Sequence, residues 1–230
     1  GWCFDTDFSG TTGDALYGLT YLHELYQKAQ SDVSTTVSVP VLWDKKTEKI
    51  VNNESADIIR MFNTAFDHLT GNQQDYYPEE LRAEIDTWNK EIYHNVNNGV
   101  YRAGFAKTQE AYDEAVNALF ATLDKLDAHL EDKDYLVGSR LSEADLRLIP
   151  TLLRFDIVYY GHFKTNLRRI IDYPNLSRYT AQLYAVDAVA KNHDFEHIKR
   201  HYYYSHQDLN PYRIIPKGPE VFIKTANGSG

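Results

Sequence analysis

The chain is poor in sulfur and in positive charge. A single cysteine, Cys3, excludes an internal disulfide framework and suits a reducing compartment. Lys and Arg total 24 against 33 Asp and Glu, a net charge of −9, which argues against a surface that tracks phosphates and so against nucleic acid as the main partner. No apolar run approaches a membrane span and no signal peptide is evident, so a soluble cytoplasmic protein is expected, with no membrane partner. The one methionine is Met61 and the sequence opens on Gly1, which is not a natural translation start. Tyrosine, by contrast, is abundant at 18 of 230 residues, pointing to a site or interface lined by amphipathic rings. A hydrophobic content of 43% is enough for a proper core.

The most informative stretch is Val39 to Arg60, VPVLWDKKTEKIVNNESADIIR. Val37 to Leu42 is β-branched and apolar, Trp43 to Glu48 supplies a polar turn, and Lys49 to Val51 resumes the apolar run, which predicts two short antiparallel strands. Lys45 and Lys46 read as a solvated turn. Pro40 cannot donate to a ladder, and the Val39-Pro40 bond is a candidate for the cis form, which would leave the Val39 backbone free for an extended peptide. A helix is expected from Glu54-Ser55, capped by Asn52 or Asn53, with Ile58, Ile59 and Phe62 facing inward. At its N-terminus the Ser55 hydroxyl and amide could hold a carboxylate and Glu54 an ammonium. Spacing alone leaves capping and ligand binding both open for this pair.

Around that unit, residues 1 to 68 read as loop, helix, strand, strand, helix, with Leu16, Leu19, Leu22, Leu25 and Ala29 striping a helix over Asp14 to Ala29. Two strands do not make an independently stable sheet, so a further segment is expected upstream. Asp67 to Tyr77 is polar and linker-like, and from Pro78 the pattern is helical, with amphipathic helices over Glu79 to Asn95 and Thr108 to Leu130. Ser142 and Asp145 form a capping box before an apolar helix that contains Pro150, and carry no chemistry in this reading. The resulting boundaries are 1–68, a linker at 69–77, a helical domain at 78–224 and a disordered tail at 225–230.

An α/β half followed by an all-α half resembles the glutathione transferase fold, here with an incomplete thioredoxin-like first domain. Gly-Trp-Cys-Phe at Gly1 to Phe4, VPVLWDKKTEKIVNNES, NNGVYRAGF (Asn97 to Phe105), RFDIVYYGHFK (Arg154 to Lys164) and HYYYSH followed by Asn210-Pro211 narrow the match. Together they resemble the glutathionyl-hydroquinone reductases, the Xi-class or omega-like glutathione transferases, over nearly the whole chain.

The resemblance implies that Trp2 packs against glutathione, that Val39 pairs with its backbone, and that Glu54 and Ser55 hold its γ-glutamyl end. It implies that Tyr101, Tyr159 and Tyr202 line the quinol pocket, Tyr160, Tyr203 and Tyr204 being their neighbours in sequence. A phenol is neutral at pH 7 and both donates and accepts hydrogen bonds, which suits it to a hydroquinone oxygen. The cosubstrate implied is glutathione, the substrates are glutathionylated quinols, no metal is needed, and the assembly is a homodimer built largely from the helical domain. The family's nucleophile is a cysteine in a Cys-Pro-Trp-Ala-His-Arg motif at a helix N-terminus, where the thiol pKa is lowered. No such motif occurs here, and it is expected upstream of Trp2. Cys3 lies in the Gly-Trp-x-Phe loop with no basic neighbour and reads as incidental, while Thr36 stands where an arginine is expected.

His193, His197 and His201 are spaced to share a helix face, but adjacent Lys199 and Arg200 disfavour a metal. Two other function classes remain, an omega-like thiol transferase or dehydroascorbate reductase and a noncatalytic module for protein association. Turnover on glutathionyl-hydroquinones against small disulfides separates the first from the reductase; absence of a Cys-Pro-Trp motif in a longer parent chain would favour the second.

Overall fold

The computed structural model describes residues 1–7, 9–30 and 36–220, and the chain divides into two compact units at Asp75/Tyr76. The tail expected at 225–230 lies outside the described residues.

The first unit begins with Gly1 to Phe4 running beside Thr20 to Leu22: Phe4 N donates to Thr20 O at 2.9 Å and Leu22 N to Trp2 O at 3.1 Å. Its first helix, α1, spans only Leu22–Ala29, not Asp14 to Ala29. The reason is local: the Asp14 carboxylate accepts from Leu16 N and Leu19 N, Gly18 takes a φ of 67°, and Glu24 caps the true start through Thr20 N and Tyr21 N. Leu16 is exposed, whereas Leu22, Leu25 and Tyr26 form the small core with Phe4, Tyr17, Leu19, Val37, Val41, Trp43 and Ile50.

Two strands follow, β1 (Leu42–Asp44) and β2 (Lys49–Asn52), paired antiparallel with a register irregularity between Leu42 and Trp43. Val37 to Val41 is not strand, because it has no ladder partner among the described residues and Pro40 offers no N–H. Trp43, expected in the turn, belongs to β1. Asp44 closes the turn, accepting from Lys46 N and the Thr47 hydroxyl. Helix α2 spans Ser55–Thr64 and is capped by Glu54 rather than by an asparagine; Asn52 instead accepts from Glu54 N at 2.7 Å. Of its expected inward residues Ile58 is buried, while Ile59 and Phe62 are exposed. A short helix, α3 (Asp67–Thr70), occupies the start of the segment read as linker.

The second unit is helical. A 3₁₀ turn (Glu79–Leu81) leads into α4 (Arg82–Glu91), a π turn (Ile92–Asn97) and α5 (Gly99–Gly104), so the helix expected to end at Asn95 runs a further turn and more. Next comes α6 (Gln109–His129), N-capped by the Thr108 hydroxyl. Its face of Ala115, Leu119, Leu123 and Leu126 is fully buried against Ile85, Ile92, Val96 and Val100, each large aliphatic contributing about 1.5–3 kcal/mol.

Helix α7 (Glu143–Arg154) passes through Pro150 without stopping and continues as a π turn (Phe155–Tyr159) into α8 (Tyr160–His162). The Ser142/Asp145 capping box is present, and buried Asp145 does more than cap: it accepts from Leu136 N, Ser142 N, Ser142 Oγ and Tyr179 OH, all within 2.8 Å. Helices α9 (Pro174–Tyr184), α10 (Asp187–Lys191) and α11 (Phe195–Ser205) complete the unit. His193 precedes the Asp194 cap of α11, so it does not share a helix face with His197 and His201. No group of three metal-binding side chains occurs among the described residues, and no helix of theirs is long and apolar enough to cross a membrane.

Candidate functional site

In the first unit, Tyr26 of α1 ties together the two segments that flank the expected peptide-binding residues. Its hydroxyl donates to Ser38 O at 2.8 Å and accepts from Asn53 Nδ2 at 3.1 Å, so one phenol holds the residue before Val39 and the residue before Glu54. Asn53 Nδ2 also reaches Ser38 Oγ at 3.3 Å. The Val39-Pro40 bond is cis, Val39 is about half exposed, and its backbone N–H and C=O make no hydrogen bond among the described residues. That leaves one donor and one acceptor for an extended peptide.

Glu54 Oε1 accepts from Ala56 N at 3.2 Å and from the Ser55 hydroxyl at 3.4 Å, while Asp57 N and Ile58 N bond to Glu54 O. Capping therefore occupies one carboxylate oxygen; Oε2 and Ser55 N have no partner among the described residues. The two roles left open by spacing are compatible. Trp2 is 42% exposed, and its main chain is fixed by Leu22 N at the start of α1. Cys3 is exposed, bridged through its backbone to Tyr21, and Thr36 is exposed too. Tyr26 and Ser38 were not named from the sequence, and Asn53 was named there only as a candidate helix cap; the one signal was that Ser38 and Asn53 adjoin Val39 and Glu54.

The second unit brings the three expected tyrosines together from three elements. Tyr101 lies on α5, Tyr159 ends the π turn after α7, and Tyr202 lies on α11. Tyr202 OH is 2.5 Å from Tyr101 OH and 2.8 Å from Tyr159 OH, so one oxygen is shared by both neighbours. Tyr159 and Tyr202 are buried, whereas Tyr101 is 38% exposed and forms the open side of the cluster. Tyr160 and Tyr203, adjacent in sequence, stay outside this hydroxyl network.

Three phenols carry three protons, and two contacts use two of them. At most one O–H, together with spare lone pairs, is left for an external oxygen. Burial, reinforced by Tyr202, raises the Tyr101 and Tyr159 pKa values far above the usual phenol, with Arg154 opposing weakly. Both stay protonated at neutral pH and act as hydrogen-bond donors rather than bases.

Phe163 floors the cluster, stacked on Tyr159 at 5.4 Å between centroids and edge-on to Tyr101 at 5.2 Å. Gly104 allows this, since a Cβ there would stand 2.4 Å from the Phe163 ring. Behind Phe163, His162 Nε2 and His206 Nδ1 share a hydrogen bond of 3.2 Å. Burial, then neighbouring His206 and Lys164, brings the His162 pKa down to about 4, and burial lowers that of His206. Phe163, His162 and His206 were not singled out by the sequence reading as site residues.

A family model for the glutathione S-transferase C-terminal domain matches residues 109–182. The glutathionyl-hydroquinone reductase PcpF of Sphingobium chlorophenolicum is 52% identical over 206 residues, covering 90% of this chain and 66% of its own length. The glutathionyl-hydroquinone reductase YqjG of Escherichia coli K-12 is 52% identical over 219 residues, covering 95% of this chain and 67% of its length. A glutathione-bound structure of YqjG aligns with a TM-score of 0.95 at 51% identity, covering 97% of this chain and 72% of that one. The chain thus spans about two thirds of the length of the curated relatives it matches. With half its residues identical to theirs across almost its whole extent, the protein belongs to the glutathionyl-hydroquinone reductase, or Xi-class, family of glutathione transferases.

Proposed function

We propose that these 230 residues supply the glutathione-holding and quinol-holding groups of a glutathione-dependent reductase of glutathionyl-hydroquinones. The observation that carries this reading is the convergence of the Tyr101, Tyr159 and Tyr202 hydroxyls on one point. Glutathione's peptide backbone pairs with Val39, its γ-glutamyl carboxylate with Ser55 at the α2 N-terminus, its ammonium with Glu54, and its flank packs on Trp2. The phenols donate to the quinol oxygens.

In the reaction a cysteine thiolate attacks the glutathione sulfur. An S–S bond forms, the aryl C–S bond breaks, and its electron pair leaves with the ring, which takes up a proton to give the hydroquinone. A second glutathione thiolate then attacks the mixed disulfide, releasing oxidised glutathione and restoring the cysteine thiolate. The phenol donors stabilise the oxygen-centred charge that develops as the C–S bond breaks. The attacking cysteine is not Cys3, which sits in a backbone bridge rather than at a helix N-terminus. A cytoplasmic homodimer is part of the same proposal, and a monomer in sedimentation would overturn that part.

Calorimetric titration with a glutathionyl-hydroquinone and with glutathione tests the assignment. The Tyr101→Phe, Tyr159→Phe, Tyr202→Phe triple variant should bind the conjugate at least about tenfold more weakly while binding glutathione normally. Equal affinity for the conjugate in both proteins would refute the quinol role of the phenols.

A further inference from the structure

Beside the π turn that ends in Tyr159, the second unit contains a cavity of about 70 Å³ that shares no residue with the tyrosine cluster. Leu153 of α7 and Ile157 of the π turn form one wall, Ile170 and Ile171 of a 3₁₀ turn (Ile170–Asp172) a second, and Ser177 and Thr180 of α9 a third. Asp156 ties the first two walls together, its Oδ1 accepting from Ile170 N at 2.6 Å and its Oδ2 from Ile171 N at 3.2 Å. At ~10–15 Å³ for each water, the space takes roughly five waters, or one short-chain molecule of about as many heavy atoms.

Thr180 calls for an occupant. Its residue is only 7% exposed, and its buried Oγ1 has no hydrogen-bond partner among the described residues. A buried hydroxyl left unsatisfied is costly, and a polar group in a cavity that lacks a protein partner marks the place of a ligand or water. Ser177, three positions earlier on α9, shares its helix face and brings a second hydroxyl to the same wall.

The charges around the cavity choose among occupants. Asp156 is half-buried, lines the cavity and has no ion pair among the described residues, and Glu220 adds a second carboxylate to the lining. The one cation there, Arg169, is engaged with Asp172 through two hydrogen bonds, Nε to Oδ2 at 3.0 Å and Nη2 to Oδ1 at 2.7 Å. Burial raises the Asp156 pKa, with the two backbone donors and then Arg169 opposing, so a positive group placed beside it favours its ionised form. An ammonium has three donors and no acceptor, which suits a carboxylate flanked by hydroxyl oxygens, while a short hydrocarbon chain covers the leucine and isoleucine walls.

We propose that this cavity is a binding site for a short-chain alkylammonium ion, its nitrogen at Asp156 and Thr180 and its hydrocarbon against Leu153, Ile157 and Ile170. The site is separate from the groups assigned to glutathione and to the quinol, and stands independently of them.

Three probes of similar length separate charge from shape: n-butylammonium, 1-butanol and butyrate at pH 7. Methyl NMR of the 230-residue chain, labelled at isoleucine and leucine, reads them through Leu153, Ile157 and Ile170. The ammonium should shift these methyls saturably and bind about tenfold more tightly than the alcohol, and butyrate should not bind. Asp156→Asn keeps one acceptor for the 3₁₀-turn amides and should bring ammonium and alcohol to equal affinity by weakening the ammonium alone. Should that variant fold poorly, Thr180→Leu, which fills the cavity with an aliphatic side chain, should abolish the shifts from both probes. The proposal is overturned if no probe shifts these methyls, which leaves the cavity to water, or if the alcohol or butyrate binds as tightly as the ammonium. It is overturned equally if either folded variant binds the ammonium as the parent does.

Discussion

At the scale of single residues, Tyr26 and Asp145 show how one polar side chain can organise a neighbourhood. Tyr26 joins the Val39 segment to the Glu54 helix start through a hydroxyl that both donates and accepts. Tyr26→Phe keeps the ring in its small core but releases both segments. Glutathione affinity should fall about two- to tenfold, the worth of one or two hydrogen bonds, with little change at the tyrosine cluster. Calorimetry on the variant with both ligands checks this, and an unchanged glutathione affinity would show that Tyr26 serves packing alone. Neither Tyr26 nor its partners could be picked from sequence, because Tyr26 and Asn53 stand 27 positions apart and nothing in either local pattern names the other. The cap at Glu54 was hidden for a similar reason: Asn52 and Asn53 are better capping residues by type, but each spends its side chain elsewhere.

At the scale of elements, the second unit was the more legible. Long helices write their buried face into the spacing of apolar residues, and α6 falls within a residue of its expected start and end. The first helix shows the opposite. A leucine stripe beginning at Leu16 has helical period, yet Asp14 and Gly18 turn the chain before Tyr21, and side-chain capping overrides the stripe. The three tyrosines lie on different elements, Tyr101 and Tyr202 being 101 positions apart, and only the family resemblance grouped them in the sequence.

A prediction belongs here, since His162 on α8 meets His206 just past α11. The His162 pKa in the fold, about 4, lies below the ordinary 6.5, so between those values the unfolded chain binds the extra proton. This pair therefore supports stability fully above about pH 6.5, and the support is lost as pH falls toward 4. Neighbouring His206 and Lys164 act in the same direction on the charged form. The urea midpoint should drop between pH 7 and 4.5, and drop less in His162→Gln. Parallel pH profiles for the two proteins would show that His162 takes no part.

At the scale of the whole molecule, the sequence carries two kinds of information with different reach. Composition only argues against classes of partner, a net charge of −9 being a poor basis for phosphate tracking. Motifs placed the chain in its family, but what the 230 residues do unaided is a matter of which groups they contain. They should bind glutathione and glutathionyl-hydroquinone without turning the conjugate over, as followed by release of hydroquinone in the presence of excess glutathione. Saturating glutathione at a hundredfold over its Kd should raise unfolding stability by about 2.7 kcal/mol. Turnover that disappears in Cys3→Ser would give that exposed thiol a role denied to it here.

The π turn at Phe155–Tyr159 also has an angular meaning. An α-helix advances about 100° per residue, and a wider turn absorbs one residue without disturbing the helix on either side. Closing the same residues as regular α-helix would advance everything after the turn by one step. Val158 would then occupy the bearing that Tyr159 holds toward Tyr202, and His162 would lose its alignment with His206. The turn is thus a phase setting: it determines which of two consecutive residues, Val158 or Tyr159, faces the shared hydroxyl.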